Sequence, residues 1–179
     1  MQSSSGEAGD RQAFEALVEN YINRLYGVAL RITGSPQDAE DAVQDALLSA
    51  YRHWGEFRQE SSRGTWLYRI TINAALARTR RRHPEDYLTD SGYEHAWITD
   101  WSEDLARRVE AAELRSILED GIMRLPDEFR LALVLRDVEG FSTAEAAAIL
   151  EVSEAAVKSR LHRARVLLRQ YVSNSLESR

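Results

Sequence analysis

Residues 142–169 decide the fold of the C-terminal half and read Ser142-Thr-Ala-Glu-Ala-Ala-Ala-Ile-Leu-Glu-Val-Ser-Glu-Ala-Ala-Val-Lys-Ser-Arg-Leu-His-Arg-Ala-Arg-Val-Leu-Leu-Arg169. Ser142 and Glu145 have the spacing of a capping box, which predicts the start of a short helix. Ser153 is placed to cap a second helix. Apolar residues at steps of four, three and four predict its buried stripe: Val157, Leu161, Ala164 and Leu168. Two helices joined by a tight turn are typical of a helix-turn-helix motif.

The outer face of the second helix is narrow and is flanked by basic side chains. Ala155 and Ser159 are small enough to let the backbone approach the edges of DNA bases, and the arginines beside them would reach phosphates. An ordinary helical hairpin with a solvated basic face is the alternative. The turn carries Glu151 where many such motifs have glycine, so this residue is expected to adopt an uncommon backbone conformation.

Charge is distributed unevenly along the 179 residues. The net charge is −6, yet residues 61–83 hold six arginines and no acid, and residues 157–169 hold five basic residues and no acid. These windows together carry +11, and the rest of the chain carries −17. Of the 23 basic residues 22 are arginine, the side chain that forks to phosphates and guanine edges. An acidic chain ordinarily disfavours a nucleic-acid partner, whereas these two windows favour one.

Composition and hydropathy exclude several classes of protein. The absence of cysteine excludes a disulfide scaffold and thiolate metal sites. The longest apolar runs, 131–135 and 146–150, are far shorter than the roughly 20 residues of a membrane span. Residues 1–10 lack the basic and apolar segments of a secretion signal. The sequence therefore predicts a cytoplasmic protein without membrane insertion.

Helical periodicity covers most of the chain, and no strand pattern of useful length is found. Gly34 ends a first helix with apolar spacing from Phe14, and Ser35 and Pro36 open a second helix that ends before Gly55. Further helices are predicted over residues 65–82, 103–125 and 127–138.

A stretch without periodicity divides the chain. Residues 84–102 are acidic and dotted with aromatic side chains, which is typical of a linker. We therefore expect an all-α protein of two small helical domains joined by a flexible acidic linker. The predicted boundaries are a disordered tail at 1–10, a first domain at 11–83, the linker at 84–102, a second domain at 103–172 and a tail at 173–179.

The second helix has an outward face that is acidic but carries a leucine at its middle. Gln37, Asp41, Gln44, Asp45 and Arg52 surround Leu48, and a partly apolar exposed face is a candidate surface for a protein partner. A magnesium site at Asp38, Asp41 and Asp45 is the alternative. No second aspartate-rich helix accompanies them, so neither a metal nor a cofactor is expected.

The third helix combines aromatic, apolar and basic side chains. Arg69, Asn73 and Arg80 form a polar stripe between two apolar faces, and further arginines enrich the end of the helix. Basic side chains interleaved with aromatic ones are typical of single-stranded DNA binding. Trp66 is expected to be a core residue instead of a stacking platform.

Motifs from both halves resemble the extracytoplasmic-function (ECF, group 4) sigma factors of bacterial RNA polymerase, which belong to the sigma-70 family. Four segments resemble region 2 of that family. They are Asp38-Ala-Glu-Asp-Ala-Val-Gln-Asp45, Ala50-Tyr-Arg-His-Trp54, Phe57-Arg58 and Thr65-Trp-Leu-Tyr-Arg-Ile70 followed by Asn73. Four further segments resemble region 4. They are Leu125-Pro-Asp-Glu-Phe-Arg130, Glu139-Gly-Phe-Ser142, Ala146-Ala-Ala-Ile-Leu150 and Val157-Lys-Ser-Arg-Leu-His-Arg-Ala-Arg165. The two regions occur in the order of the family, over about 14–82 and 113–170.

The resemblance implies a transcription initiation subunit without catalytic residues of its own. The outward face of the second helix would dock on the clamp helices of the polymerase β′ subunit through Asp41, Gln44, Asp45, Leu48 and Arg52. The melted −10 element would be captured by Arg58, Ser61, Arg63, Arg69, Asn73 and Arg80. The −35 element would be read by Lys158, Ser159, His162 and Arg163, with phosphate contacts from Arg160 and Arg165. His162 departs from the aromatic residue of some relatives.

The implied partners are core RNA polymerase, through its β and β′ subunits, promoter DNA and an anti-sigma factor. The free chain is expected to be a monomer. Two other functions stay open at the level of the residues. One is a stand-alone helix-turn-helix regulator, which would bind duplex DNA tightly without polymerase. The other is a helical interaction adaptor that makes no DNA contact.

Overall fold

The computed structural model describes residues 3–56, 62–82 and 111–177. Within these ranges the helices are α1 (Ser3–Thr33), α2 (Pro36–Arg52), α3 (Arg63–Arg82), α4 (Ala111–Arg124), α5 (Asp127–Leu133), α6 (Thr143–Leu150) and α7 (Glu154–Glu177). A 3₁₀ turn at Trp54–Glu56 follows α2, and a π-helical turn at Val134–Val138 follows α5. The described residues contain no strand, which confirms the all-α prediction. None of these helices combines the length and the apolar character that a membrane crossing requires.

Two compact units make up the chain, the first built around α1–α3 and the second around α4, α5 and α7. The predicted linker 84–102 lies outside the described residues, as do the −10 candidates Arg58 and Ser61.

The helices of the first unit pack against one another because each presents small or apolar residues to a shared core. Four alanines of α2 are buried, which lets α1 and α3 approach its backbone closely. On α3 the buried side chains include Leu67, Tyr68 and Ile72, and Trp66 is buried as predicted. Ile70 is only half-buried and lies beside a groove.

The junction between α1 and α2 follows its predicted chemistry. Gly34 adopts a φ of +65°, a left-handed conformation that costs glycine little, and the first helix ends there. The Ser35 hydroxyl accepts a hydrogen bond from the backbone N–H of Asp38 at 3.3 Å, and Pro36 occupies the first turn of α2.

Both ends of the chain differ from the predicted tails. Helix α1 begins at Ser3, inside the tail predicted for residues 1–10, and α7 continues to Glu177, inside the tail predicted for 173–179. Extending an existing helix requires no new nucleation, so polar composition alone does not end it. At the C-terminal end, buried Val172 anchors the extension.

The second unit is held together by a close approach of α4 to α7 and by one arginine. A Cβ at Gly121 would lie 2.6 Å from Leu168 Cδ1 and 2.7 Å from Tyr171 Cδ1, so any larger residue at this position would have to displace these side chains. Arg130 of α5 donates from its nearly buried guanidinium to the carbonyl oxygens of Ile122, Met123 and Leu125. These oxygens lie at the end of α4, where no further helical turn supplies donors.

The helix-turn-helix forms with the predicted caps. The Ser142 N–H donates to Glu145 Oε2 at 2.8 Å, and the Glu145 N–H donates to Ser142 Oγ at 3.2 Å, which completes the capping box. Glu151 has a φ of 55°, the uncommon conformation expected at this turn. Ser153 Oγ then accepts from the Ala156 N–H at 3.1 Å and caps α7.

One local feature departs from the predicted helix over 127–138. The α-helical pattern stops at Leu133, and the chain continues as the π-helical turn, in which the Glu139 N–H donates to the Val134 carbonyl at 2.9 Å. A bond across five residues leaves one residue more in the turn than an α-helix would hold.

Candidate nucleic-acid and protein interfaces

The exposed face of α7 is set by the burial of its opposite side. Val157, Leu161 and Ala164 are buried, so the residues between them point away from the core. Lys158, Ser159, His162 and Arg163 are exposed, and in the described part of the chain none of the four makes a side-chain hydrogen bond or ion pair. Such side chains meet a ligand without first losing a partner.

The two arginines predicted to contact phosphate have acidic partners on the segment 127–138. Arg160 pairs with Glu128 at 3.0 Å, and Arg165 forms two hydrogen bonds to Asp137, of 2.8 and 2.7 Å. The bonds to Asp137 raise the pKa of Arg165 above its ordinary value. Sequence reasoning missed both acids because each lies about 30 residues from its arginine, beyond any helical spacing.

The outward face of α2 is partly neutralised by α3. Gln44, Asp45, Leu48 and Arg52 are exposed, and Asp41 is half-buried. Arg78 of α3 reaches across to Asp41 at 3.0 Å and Asp45 at 2.6 Å, and chiefly the bond to Asp45 raises the pKa of Arg78. Two of the three aspartates considered for magnesium thus face a guanidinium, and no cluster of three metal-ligating side chains occurs among the described residues.

An apolar groove of about 560 Å³ runs between α1 and α2 beside this face. Leu48 and Tyr51 are 51% and 52% exposed at its edge, the largest exposures of big apolar side chains in the described ranges. The ring of Tyr51 stands edge-on to Phe14, with ring centroids 5.3 Å apart. Sequence reasoning missed Tyr51; its spacing of three from Leu48 was the available signal.

The polar stripe of α3 is consistent with helical geometry. At about 100° per residue, positions 69, 73 and 80 fall within about 40° of one another on the helix. Asn73 lines a second groove of about 450 Å³, together with Asp45 and Arg81. Arg63 lies at the start of α3 with its guanidinium 4.4 Å from the centroid of the Trp54 ring, a cation–π contact.

Comparison with known proteins places both units in one family. Residues 17–85 match the family model for sigma-70 region 2, and residues 115–168 match the model for sigma-70 region 4. The chain is 39% identical over 163 residues to the ECF RNA polymerase sigma factor SigM of Mycobacterium tuberculosis, covering 90% of this chain and 78% of that protein. The chain belongs to the ECF sigma factors. It is a transcription initiation factor that directs RNA polymerase to promoters.

Other ECF sigma factors agree in sequence and in fold. The chain is 32% identical to SigW of Bacillus subtilis, with 90% of each chain covered. It superposes on RpoE of Bartonella quintana, solved with the anti-sigma factor NepR, with a TM-score of 0.67 and 25% identity over 90% of this chain and 98% of that one. It superposes on CnrH, solved with the cytosolic domain of CnrY, with a TM-score of 0.66 and 26% identity, covering 96% and 94%.

Proposed function

We propose that this ECF sigma factor works in the cytoplasm with core RNA polymerase and carries three separate contact surfaces. Helix α7 reads the −35 element, the stripe of α3 with the preceding loop captures the −10 element, and the outward face of α2 docks on the β′ clamp helices. The observation that carries the proposal is the division of α7 into two groups of side chains. Four are exposed and have no side-chain partner among the described residues, and two arginines are already paired with acids.

Reading of the −35 element by α7 is supported by the geometry of that face. The major groove is about 12 Å wide and admits one α-helix. Small Ser159 allows a close approach, while Lys158 and Arg163 supply donors for guanine or phosphate oxygens. Four to six phosphate contacts would give log K against log salt a slope of roughly −4 to −5. A slope near zero for −35 binding would contradict this role for residues 157–169.

Docking of polymerase on α2 is supported by the exposed apolar side chains of this helix, which lie next to charged ones. Leu48 and Tyr51 would supply the apolar centre of the interface, and Gln44 and Arg52 its polar edge. Asp41 and Asp45 are held in place by Arg78, so they would meet a basic partner in a fixed arrangement.

Capture of the −10 element by α3 is supported by the shared stripe of Arg69, Asn73 and Arg80. Extruding a base costs a few kcal/mol, which stacking and backbone contacts offset. Two weak DNA contacts on one chain become productive when a large enzyme fixes their spacing. The chain itself contributes no catalytic residue or cofactor in this scheme.

An anti-sigma factor is a further proposed partner. RpoE of Bartonella quintana was solved with the anti-sigma factor NepR, and CnrH was solved with the cytosolic domain of CnrY. A helix of the anti-sigma factor would pack into the exposed apolar groove between α1 and α2. There it would compete with polymerase for the outward face of α2.

Run-off transcription tests the proposal. The protein is added to bacterial core polymerase on a genomic promoter library, and promoter-specific transcripts are expected; their complete absence would refute it. Lys158→Ala with Arg163→Ala should abolish −35-dependent output, whereas Arg115→Ala, which replaces an exposed arginine of α4, should not. Leu48→Ala should weaken binding to core enzyme, while Val138→Ala, exposed in the other unit, should leave it intact.

Two further outcomes distinguish the remaining functions. Tight duplex binding by the purified protein without polymerase would indicate a stand-alone regulator. Unchanged promoter output after the Lys158 and Arg163 substitutions would indicate an adaptor that makes no DNA contact.

A further inference from the structure

The pair between Asp137 and Arg165 has the geometry of a fork. Asp137 Oδ2 accepts from Nε of Arg165 at 2.8 Å, and Oδ1 accepts from Nη2 at 2.7 Å. Two parallel bonds fix the plane of the guanidinium as well as its position. The third nitrogen, Nη1, lies outside the pair and keeps its hydrogens for another acceptor. The side chain of Arg165 is 54% exposed, so an acceptor can reach it.

Pairing changes what Arg165 can contribute to DNA binding. A free arginine attracts any phosphate, and this attraction is independent of sequence. Paired with Asp137, the group carries no net charge and adds little to such attraction. Nη1 of the paired guanidinium can still donate a hydrogen bond. Because Asp137 fixes the plane of the guanidinium, the acceptor must lie in the direction in which the Nη1–H bonds point.

Asp137 lies inside the π-helical turn Val134–Val138. The turn is closed by the hydrogen bond from the Glu139 N–H to the Val134 carbonyl, and within it the Asp137 carboxylate meets Arg165 of α7.

We propose that Asp137 determines the specificity of −35 recognition as a positioning residue. It holds Arg165 so that Nη1 donates to one phosphate oxygen of the correctly bound element, and it withdraws the charge of Arg165 from general attraction to DNA. This inference rests on the proposed reading of the −35 element by α7.

The proposal is tested by measuring how tightly holoenzyme, assembled from core polymerase and the full chain, binds two duplexes. One is a promoter fragment selected by the wild-type holoenzyme from DNA randomised at −35, and the other is the same fragment with that element scrambled. Asp137→Asn should weaken binding to the selected duplex and strengthen binding to the scrambled one, so that the ratio of the two affinities falls about tenfold. The salt slope on the scrambled duplex should steepen by about one.

Glu177→Gln is the matched control, because it removes one negative charge, as Asp137→Asn does, but at the far end of α7. Glu177 lies about 18 Å along the helix from Arg165, which is beyond the screening length. It should leave both affinities unchanged. An equal change for Glu177→Gln would overturn the proposal, since net charge alone would then explain the effect.

A double-mutant cycle separates positioning from a general structural role. In an Arg165→Met background, Asp137→Asn should no longer alter the affinity ratio; an undiminished change would overturn the proposal. Arg165→Lys keeps the charge but lacks the fork, so it should also lose discrimination, and wild-type discrimination would count against the proposal. If the wild-type holoenzyme itself does not distinguish the two duplexes, the proposed −35 role of α7 fails; if it does and Asp137→Asn changes nothing, only this inference fails.

Discussion

Replacing Arg130 by methionine should destabilise the second unit far more than its position on a short helix implies. Its side chain is only 11% exposed, and its guanidinium donates to three carbonyl oxygens at the end of α4. At about 1.5 kcal/mol for each bond from a charged donor, the three bonds contribute about 4–5 kcal/mol. Removing the guanidinium also removes its desolvation cost, which offsets about 1–2 kcal/mol. The expected loss in the free energy of unfolding is therefore about 3 kcal/mol.

Hydrogen exchange followed by mass spectrometry measures this loss within the full chain. The slowest amides of α4–α7 should exchange roughly 100-fold faster in Arg130→Met, while peptides from α1–α3 keep their rates. Arg115→Met is the control, because Arg115 is an exposed arginine on α4 that makes no side-chain bond in the described part of the chain. The reasoning is refuted if Arg130→Met costs less than about 1 kcal/mol, below even one such bond, or no more than Arg115→Met.

Three further substitutions test local features of residues 121–151 by urea unfolding. Glu151→Gly should raise the free energy of unfolding by about 0.5–1 kcal/mol, because glycine adopts a φ of 55° without strain; a decrease would contradict this. Gly121→Ala should lower it by about 1 kcal/mol through overlap with Leu168, whereas Gly9→Ala, with open space around it, should not. Glu145→Ala should lower it by about 0.5 kcal/mol at neutral pH. The backbone bond from Ser142 lowers the pKa of Glu145, so this contribution is present above pH 4.5 and is lost as the pH falls through the lowered pKa. A difference that persisted unchanged at low pH would exclude the ionised carboxylate as its source.

Short-range chemistry was predictable from the sequence because its partners lie three or four residues apart. The cap at Ser35, the capping box at Ser142 and the left-handed Glu151 all belong to this class, and all are confirmed. The exposed side of α7 followed equally from the spacing of its buried stripe. Helical period and residue type suffice for such features.

Long-range pairs were not predictable, because nothing in a helical period selects a partner on another helix. Arg78 bonds to Asp41 and Asp45 across 37 and 33 residues, and Arg165 bonds to Asp137 across 28. Each arginine looked like an uncompensated charge in the sequence. The π-helical turn was also missed, since apolar spacing over 127–138 fits an uninterrupted α-helix.

The turn at Val134–Val138 has a consequence for how this segment tolerates changes in length. A deletion of one residue there would let the chain close into an α-helix and keep its backbone hydrogen bonds, so the segment itself would suffer little. Everything downstream, however, would be rephased by about 100° relative to α5. The segment is therefore far more sensitive to a change in the number of its residues than its own hydrogen bonds suggest, and homologous proteins of the same design should keep its length.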